Sequence, residues 1–296
     1  MKWLLCFALS IFPLAAQVKV VSLHPLLTDL LQQVGGSQLE VIDLIGKTGD
    51  PHHFEPSSEQ LRSTTDASLF FISGKGLESY LPALKSIVGN RAKIIDVGAT
   101  VPSLEGACSH CEEHDHDHSD HSVDPHWWHS IDHFRRATQS VAKALAAAHP
   151  EHADLWQKNA ARYQSQLEDL DRWTRQQIAR IPKKQRHLAT AHDAFGYFCK
   201  DYQFTAHPVQ GLNREQLPST TELAKLLKTL HEQNVRAIFP EKESNHKILA
   251  SLTRDTGIAL AEALVADGTN VDSYEKMVRH NVNAIVKALA PSPRTP

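Results

Sequence analysis

The sequence predicts an α/β chain of two Rossmann-like lobes. Each is a parallel sheet flanked by helices, and one long rigid helix joins them. Three observations carry this expectation. Short β-branched and apolar runs alternate with helical patterns, which favours parallel strands with crossover helices. The runs fall into two groups, one in each half of the chain. Between the groups, residues 150–181 contain no glycine, and the run is bounded by Pro150 at its start and Pro182 just after its end.

The chain opens on Met1-Lys2 and an apolar run from Trp3 to Leu14, ending in Ala15-Ala16-Gln17. A short basic start, about a dozen apolar residues and small residues at the end describe a secretory signal peptide over residues 1–16. A membrane span would need about 20 apolar residues. Cleavage is expected near Ala16, and Cys6 lies too early in the run to be a lipid-attachment cysteine. The mature chain is therefore expected to begin near Gln17 and to be exported.

The first lobe is assigned to residues 17–149. Its strands are read at Val18–Ser22, Leu39–Ile45, Leu69–Ile72 and Lys93–Val97, each a short run of β-branched and apolar residues. Residues 108–124 interrupt it with five histidines and six acidic residues, and almost nothing apolar. Such a segment cannot bury enough surface to fold alone and is expected to be a mobile loop. Its His/Asp alternation from His114 to His118 predicts weak binding of extra zinc. Cys108 and Cys111 at its start would form either a small disulfide loop or part of that metal-loading patch. Cys199 is expected to be a buried, inert thiol.

The linking helix is assigned to residues 150–181. Trp156, Ala160, Tyr163, Leu167, Leu170, Thr174, Ile178 and Ile181 recur at spacings of three and four, so one apolar face runs its length. Some 30 residues would span roughly 45 Å. That exceeds the need of one lobe and favours a stiff strut beside a ligand cleft. The second lobe, residues 182–296, is read with strands at His187–Ala191, Phe204–Val209, Val235–Phe239 and Ile258–Leu264. A helix carrying Leu223, Leu226, Leu227 and Leu230 opens after Pro218.

At 296 residues, with 41% hydrophobic and 22% charged residues, the chain can build substantial cores. It is neither disordered, collagen-like nor a disulfide miniprotein. A net charge of −3 without a long basic run argues against nucleic acid as a partner. Nineteen histidines are the outlier.

Four positions carry candidate chemistry. His52 lies in Asp50-Pro51-His52-His53-Phe54-Glu55-Pro56, and His126 in Asp124-Pro125-His126-Trp127-Trp128. His192 ends the first strand of the second half, and Asp267 follows its last strand. In open α/β sheets ligands bind beyond the carboxyl ends of strands, so two donors from each half could meet across one cleft. Three imidazoles and a carboxylate suit a borderline divalent cation such as Zn²⁺. Asp193 and Glu241 compete with Asp267 as the fourth donor. His53 is expected to support its neighbour or face solvent, and His24 to play a structural role. His129 and His133, four apart, form either a metal pair or a solvated face. Trp127 and Trp128 should pack the cleft wall.

With these motifs in view, the mature chain resembles the zinc/manganese substrate-binding proteins of bacterial ABC importers, the ZnuA/TroA-like group. The two Asp-Pro-His runs carry the resemblance, with Gly74-Lys75-Gly76-Leu77-Glu78, the run from His192 to Phe198, and Thr256-Gly257 before Asp267. It implies two α/β lobes joined by a long helix with one metal ion between them, held by His52, His126, His192 and Asp267. A histidine at the third position and a His-rich acidic loop are similar to the zinc branch. Zn²⁺ is therefore the expected cargo, with Mn²⁺ the alternative. The implied partner is an inner-membrane importer permease, and the expected state is a monomer that is not an enzyme. The second lobe lacks the cysteine pair that several zinc members carry. The competing class is an exported zinc hydrolase, which would keep three donors and an open water position. Against it, the sequence has no His-Glu-x-x-His motif or nucleophile elbow.

Overall fold

The structure is a computed structural model. It describes residues 17–105, 123–212, 218–241, 249, 253–254 and 256–291. The expected signal peptide, Cys108, Cys111 and loop residues 108–122 lie outside the described residues.

The first half forms a parallel sheet of β1 (Val18–Ser22), β2 (Leu39–Asp43), β3 (Leu69–Ile72) and β4 (Lys93–Asp96), in the order β2-β1-β3-β4. The second half repeats the arrangement. Its strands β5 (His187–His192), β6 (Thr205–Gln210), β7 (Ala237–Phe239) and β8 (Ala259–Leu260) pair in the order β6-β5-β7-β8. In each sheet the first strand connects to its neighbour on one side, while the adjacent third strand connects to the fourth on the other. This creates a switch point at the carboxyl ends of these two strands, where ligands bind in such folds. Pro208 is tolerated within β6 because this edge strand needs no second ladder on its outer side.

The α-helices that accompany them include α1 (Pro25–Gly35), α2 (Ser58–Ser63), α3 (Leu81–Val88), α4 (Ile131–Ala148), α5 (Ala153–Ile178), α6 (Gly196–Tyr202), α7 (Thr220–Glu232) and α8 (Tyr274–Leu289). Their starts are chemically marked. Ser57 with Gln60 and Ser219 with Glu222 form reciprocal capping boxes, while Ser130 and Ser273 cap α4 and α8.

The long helix is shorter than the sequence suggests, because Pro150–His152 forms a separate 3-10 turn and the chain leaves the helix before Pro182. Its 26 residues span about 39 Å. Trp156, Ala160, Tyr163, Leu167, Leu170, Thr174 and Ile178 are its buried face. That face lies in a core cluster drawing residues from both sheets and from α1, α4 and α8. The helix is thus buttressed along its length.

Three strands differ from expectation by two or more residues at an end. β2 stops at Asp43, whose Oδ1 accepts the Gly46 N–H at 2.9 Å and turns the chain. Val235 closes the end of α7 through its N–H to the Leu230 carbonyl (2.9 Å), so β7 begins at Ala237. β8 is only two residues long, and the chain rejoins the sheet at a single bridge between Leu264 and Glu241.

The halves are also bonded to each other. The Trp128 indole N–H donates to the Ala266 carbonyl (2.7 Å), and the Tyr274 hydroxyl donates to the Trp128 carbonyl (2.7 Å). Asp29 on α1 accepts the Tyr274 N–H at the start of α8 (2.8 Å). The Asn270 N–H reaches the Lys47 carbonyl at 2.7 Å. Phe134 stacks on Tyr274 with ring centroids 3.6 Å apart.

Candidate metal centre

Each Asp-Pro-His run folds in the same way for the same reason. The Asp50 carboxylate accepts the backbone N–H of His52 two residues on (3.0 Å), and Asp124 accepts that of His126 (2.9 Å). This is an Asx turn, and the intervening proline fixes φ and offers no competing N–H. The runs then diverge. The second oxygen of Asp50 contacts His53 Nδ1 at 2.9 Å. Asp124 Oδ1 lies 2.8 Å from His126 Nδ1 and so orients the ring.

His192 ends β5 and is held from behind by Glu241, which is almost wholly buried. One carboxylate oxygen accepts the His192 backbone N–H (3.2 Å), and the other lies 2.5 Å from Nδ1. Carboxylates on Nδ1 of His126 and His192 keep the proton on that nitrogen and leave the Nε2 lone pairs facing inward. Asp267 follows Ala266, whose carbonyl is pinned by Trp128. Gly268 (φ +74°) turns the chain directly against Leu26, where a Cβ would come within 2.6 Å of that side chain.

These loops bring four donors together. His52 Nε2 is 3.2 Å from His126 Nε2, and His126 Nε2 is 3.4 Å from His192 Nε2. Asp267 Oδ1 is 3.4 Å from His52 Nε2 and 3.8 Å from His126 Nε2. The whole set lies within 4.8 Å. A tetrahedron with bonds of about 2.0–2.1 Å has edges of about 3.3–3.4 Å, close to these separations. Among the described residues this is the one group of three or more His, Cys, Asp or Glu donors arranged to hold an ion.

The electrostatics favour neutral imidazole donors. Burial pulls His126 well below the usual histidine range, and the neighbouring His52 and His192 pull it further. Burial also lifts Asp124 to about 7, although the His126 N–H opposes this. A cation replaces the mutual repulsion of three imidazoles with attraction to all of them, and Asp267 and Glu241 add negative charge.

The other sequence candidates stand apart from this group. Glu241 lies behind His192, and Asp193 is buried with its backbone N–H on the Gly211 carbonyl (3.1 Å). His129 is buried against Phe195 with ring centroids 4.3 Å apart, so it is not part of a solvated face, while His133 packs edge-on to Tyr197. Trp127 and Trp128 are both buried, and the Trp128 ring lies 5.3 Å from His126. His24 caps α1, its Nδ1 accepting the Leu26 N–H (3.2 Å) while its ring lies 4.4 Å from Trp128. Burial, the largest influence on it, drives this histidine down to about 3. Cys199 is a free, buried thiol, and burial raises its pKa.

Sequence reasoning named Glu241 as a rival fourth donor and missed that it supports His192 from behind. An Asp two residues before each histidine was visible as an Asx-turn signal. Glu241, some 49 positions from His192, had no local signal.

Comparison with known proteins adds a family and a fold. The family described as "Zinc-uptake complex component A periplasmic" matches residues 20–288. The manganese-binding lipoprotein MntA of Bacillus subtilis is 30% identical over 289 residues, covering 92% of this chain and 90% of its own length. A crystal structure of ZnuA superposes with a TM-score of 0.80 at 26% identity, covering 93% of this chain and all of that one. The periplasmic zinc-binding protein TroA of Treponema pallidum superposes with a TM-score of 0.82 at 24% identity, with coverage of 93% and 100%. The last likeness concerns the fold alone.

Proposed function

This chain belongs to the periplasmic zinc-uptake component A family, the metal-binding substrate-binding proteins of ABC importers. On that premise we propose that it captures Zn²⁺ in the periplasm and delivers it to an inner-membrane permease. The observation that carries the reading is the convergence of His52, His126, His192 and Asp267 donor atoms within 4.8 Å. Three imidazoles and one carboxylate suit zinc's preference for nitrogen and tetrahedral geometry. Four protein donors fill the corners that a hydrolase would leave open for water, which favours carriage over catalysis.

Lobes at 17–149 and 182–296, with residues 150–181 between them, would contribute two donors each, so the ion bridges them. The direct bonds between the halves through Trp128, Tyr274, Asp29 and Lys47 favour a small closing motion. Export through cleavage near Ala16 and action as a monomer complete the proposal. Manganese is the second reading, favoured by the manganese-binding name of the 30%-identical Bacillus relative.

The test is metal analysis of the exported protein, followed by competition titration with Zn²⁺ and Mn²⁺. His52→Ala and Asp267→Ala variants should each lose the tight site, with zinc preferred by the parent. Tighter manganese binding would reverse the cargo assignment, and tight zinc binding by both variants would end the proposal.

A further inference from the structure

A second pair of imidazoles lies away from the four-donor group. His187 starts β5 and His207 lies within β6. The parallel register pairs His187 with Thr205 and Ala189 with His207. Since side chains alternate along a strand, His187 shares a sheet face with Ala189, and His207 lies diagonally opposite on that face. The rings are close to parallel, with centroids 5.3 Å apart and planes 25° apart. His187 Nδ1 and His207 Nε2 are 3.1 Å apart. His207 is buried and His187 half-buried, so the pair opens to solvent on one side.

We propose that His187 and His207 form a second metal site, a bis-imidazole clamp for a borderline divalent cation such as Ni²⁺, Cu²⁺ or Zn²⁺. Two nitrogens 3.1 Å apart can both lie about 2.0–2.1 Å from one ion at an N–metal–N angle of about 100°. That angle falls between tetragonal and tetrahedral coordination, and imidazole suits all three ions. In the empty pair one ring N–H points to the other ring's lone pair. Coordination needs both lone pairs at those nitrogens, so the shared proton moves to the far nitrogen of its own ring and no proton is released. Burial, helped by the neighbouring His187, lowers His207 to about 4 and keeps it neutral at physiological pH. Register fixes where the two side chains start, and on binding each ring swings from facing its neighbour to facing the shared ion. Two neutral donors hold a cation more weakly than four, so zinc fills the main centre first and the clamp fills later, from solvent. The sites are at opposite ends of β5, about 16 Å apart along the strand.

The clamp is independent of which cargo the main centre carries. Full-length protein is loaded with zinc, dialysed against micromolar Ni²⁺ and its bound metals counted. His187→Gln and His207→Gln should each bind one nickel equivalent fewer than the parent while keeping their zinc. The histidine-rich segment is present in all three proteins, so its nickel cancels in the comparison. Equal nickel counts in all three proteins would overturn the proposal. Should His207→Gln fail to fold, the half-buried His187→Gln still decides. Nickel-edge anomalous diffraction gives a second readout. It should place a peak between His187 Nδ1 and His207 Nε2, and anomalous peaks only elsewhere would also overturn the clamp.

Discussion

Glu241→Gln tests how the chain sets up a metal-ready imidazole. In the parent, the two Glu241 oxygens face two His192 groups, the backbone N–H at 3.2 Å and Nδ1 at 2.5 Å. Glutamine keeps the shape but has one oxygen and one NH₂. If its oxygen serves the backbone N–H, its NH₂ faces Nδ1, which must then accept, and the imidazole proton moves to Nε2. Nε2 is the nitrogen that faces His126 at 3.4 Å and is offered to the ion. If the amide is reversed, two N–H donors meet in a buried site, at a cost of about 1–3 kcal/mol. Either way metal binding suffers. Removing the outer partner of a metal-bound histidine typically weakens affinity by about 10–100-fold, or about 1.4–2.7 kcal/mol. Competition titration against a zinc chelator should show a loss in that range, while the melting temperature of the metal-free protein shifts little because volume is preserved. Affinity within about twofold of the parent, under about 0.5 kcal/mol, would refute the tautomer argument.

Three further outcomes follow from the same contacts. Trp128→Phe removes the N–H that holds the Ala266 carbonyl at 2.7 Å. The unpaired buried carbonyl should cost about 1–3 kcal/mol, read as a Tm lowered by several degrees, together with weaker zinc binding through the loosened Asp267 loop. Gly268→Ala places a Cβ 2.6 Å from Leu26 in a backbone of φ +74°, so calorimetry should show a destabilised protein with impaired zinc binding. Burial, the largest influence on His129, holds it near 3 in the folded chain against 6.5 as the ordinary value. The unfolded chain therefore takes up this proton first. The associated stability is complete above pH 6.5 and is lost as pH falls from 6.5 towards 3, at up to about 1.4 kcal/mol per unit. Denaturant titrations of metal-free His129→Gln and parent should diverge in slope across that window, and parallel curves would contradict the assignment.

Much of the fold was readable because it rests on local patterns. The apolar stripe from Trp156 to Ile178 repeats at helical spacing, and those residues form the buried face of α5. The strands beginning at Val18 and Leu69 are short apolar runs whose ends coincide with the observed ones. Reading was poorer where distant groups decide the outcome. Nothing near Val235 announces that its N–H closes α7 instead of starting β7. His129 looks like one of many polar residues on an amphipathic pattern, yet packing against Phe195 buries it. At the metal centre, the Asp-Pro-His runs point to His52 and His126 because an Asx turn is a local device. Glu241's hold on His192 depends on β5 and β7 being neighbours, which no short window of sequence reveals.

The most direct test is a crystal structure of the zinc-loaded protein with anomalous data collected across the zinc edge. The account predicts one strong peak bonded to Nε2 of His52, His126 and His192 and to a carboxylate oxygen of Asp267, with Glu241 and Asp124 behind the rings. A strong peak held by donors from only one half of the chain, with His52 and His192 bound to different ions, would contradict it.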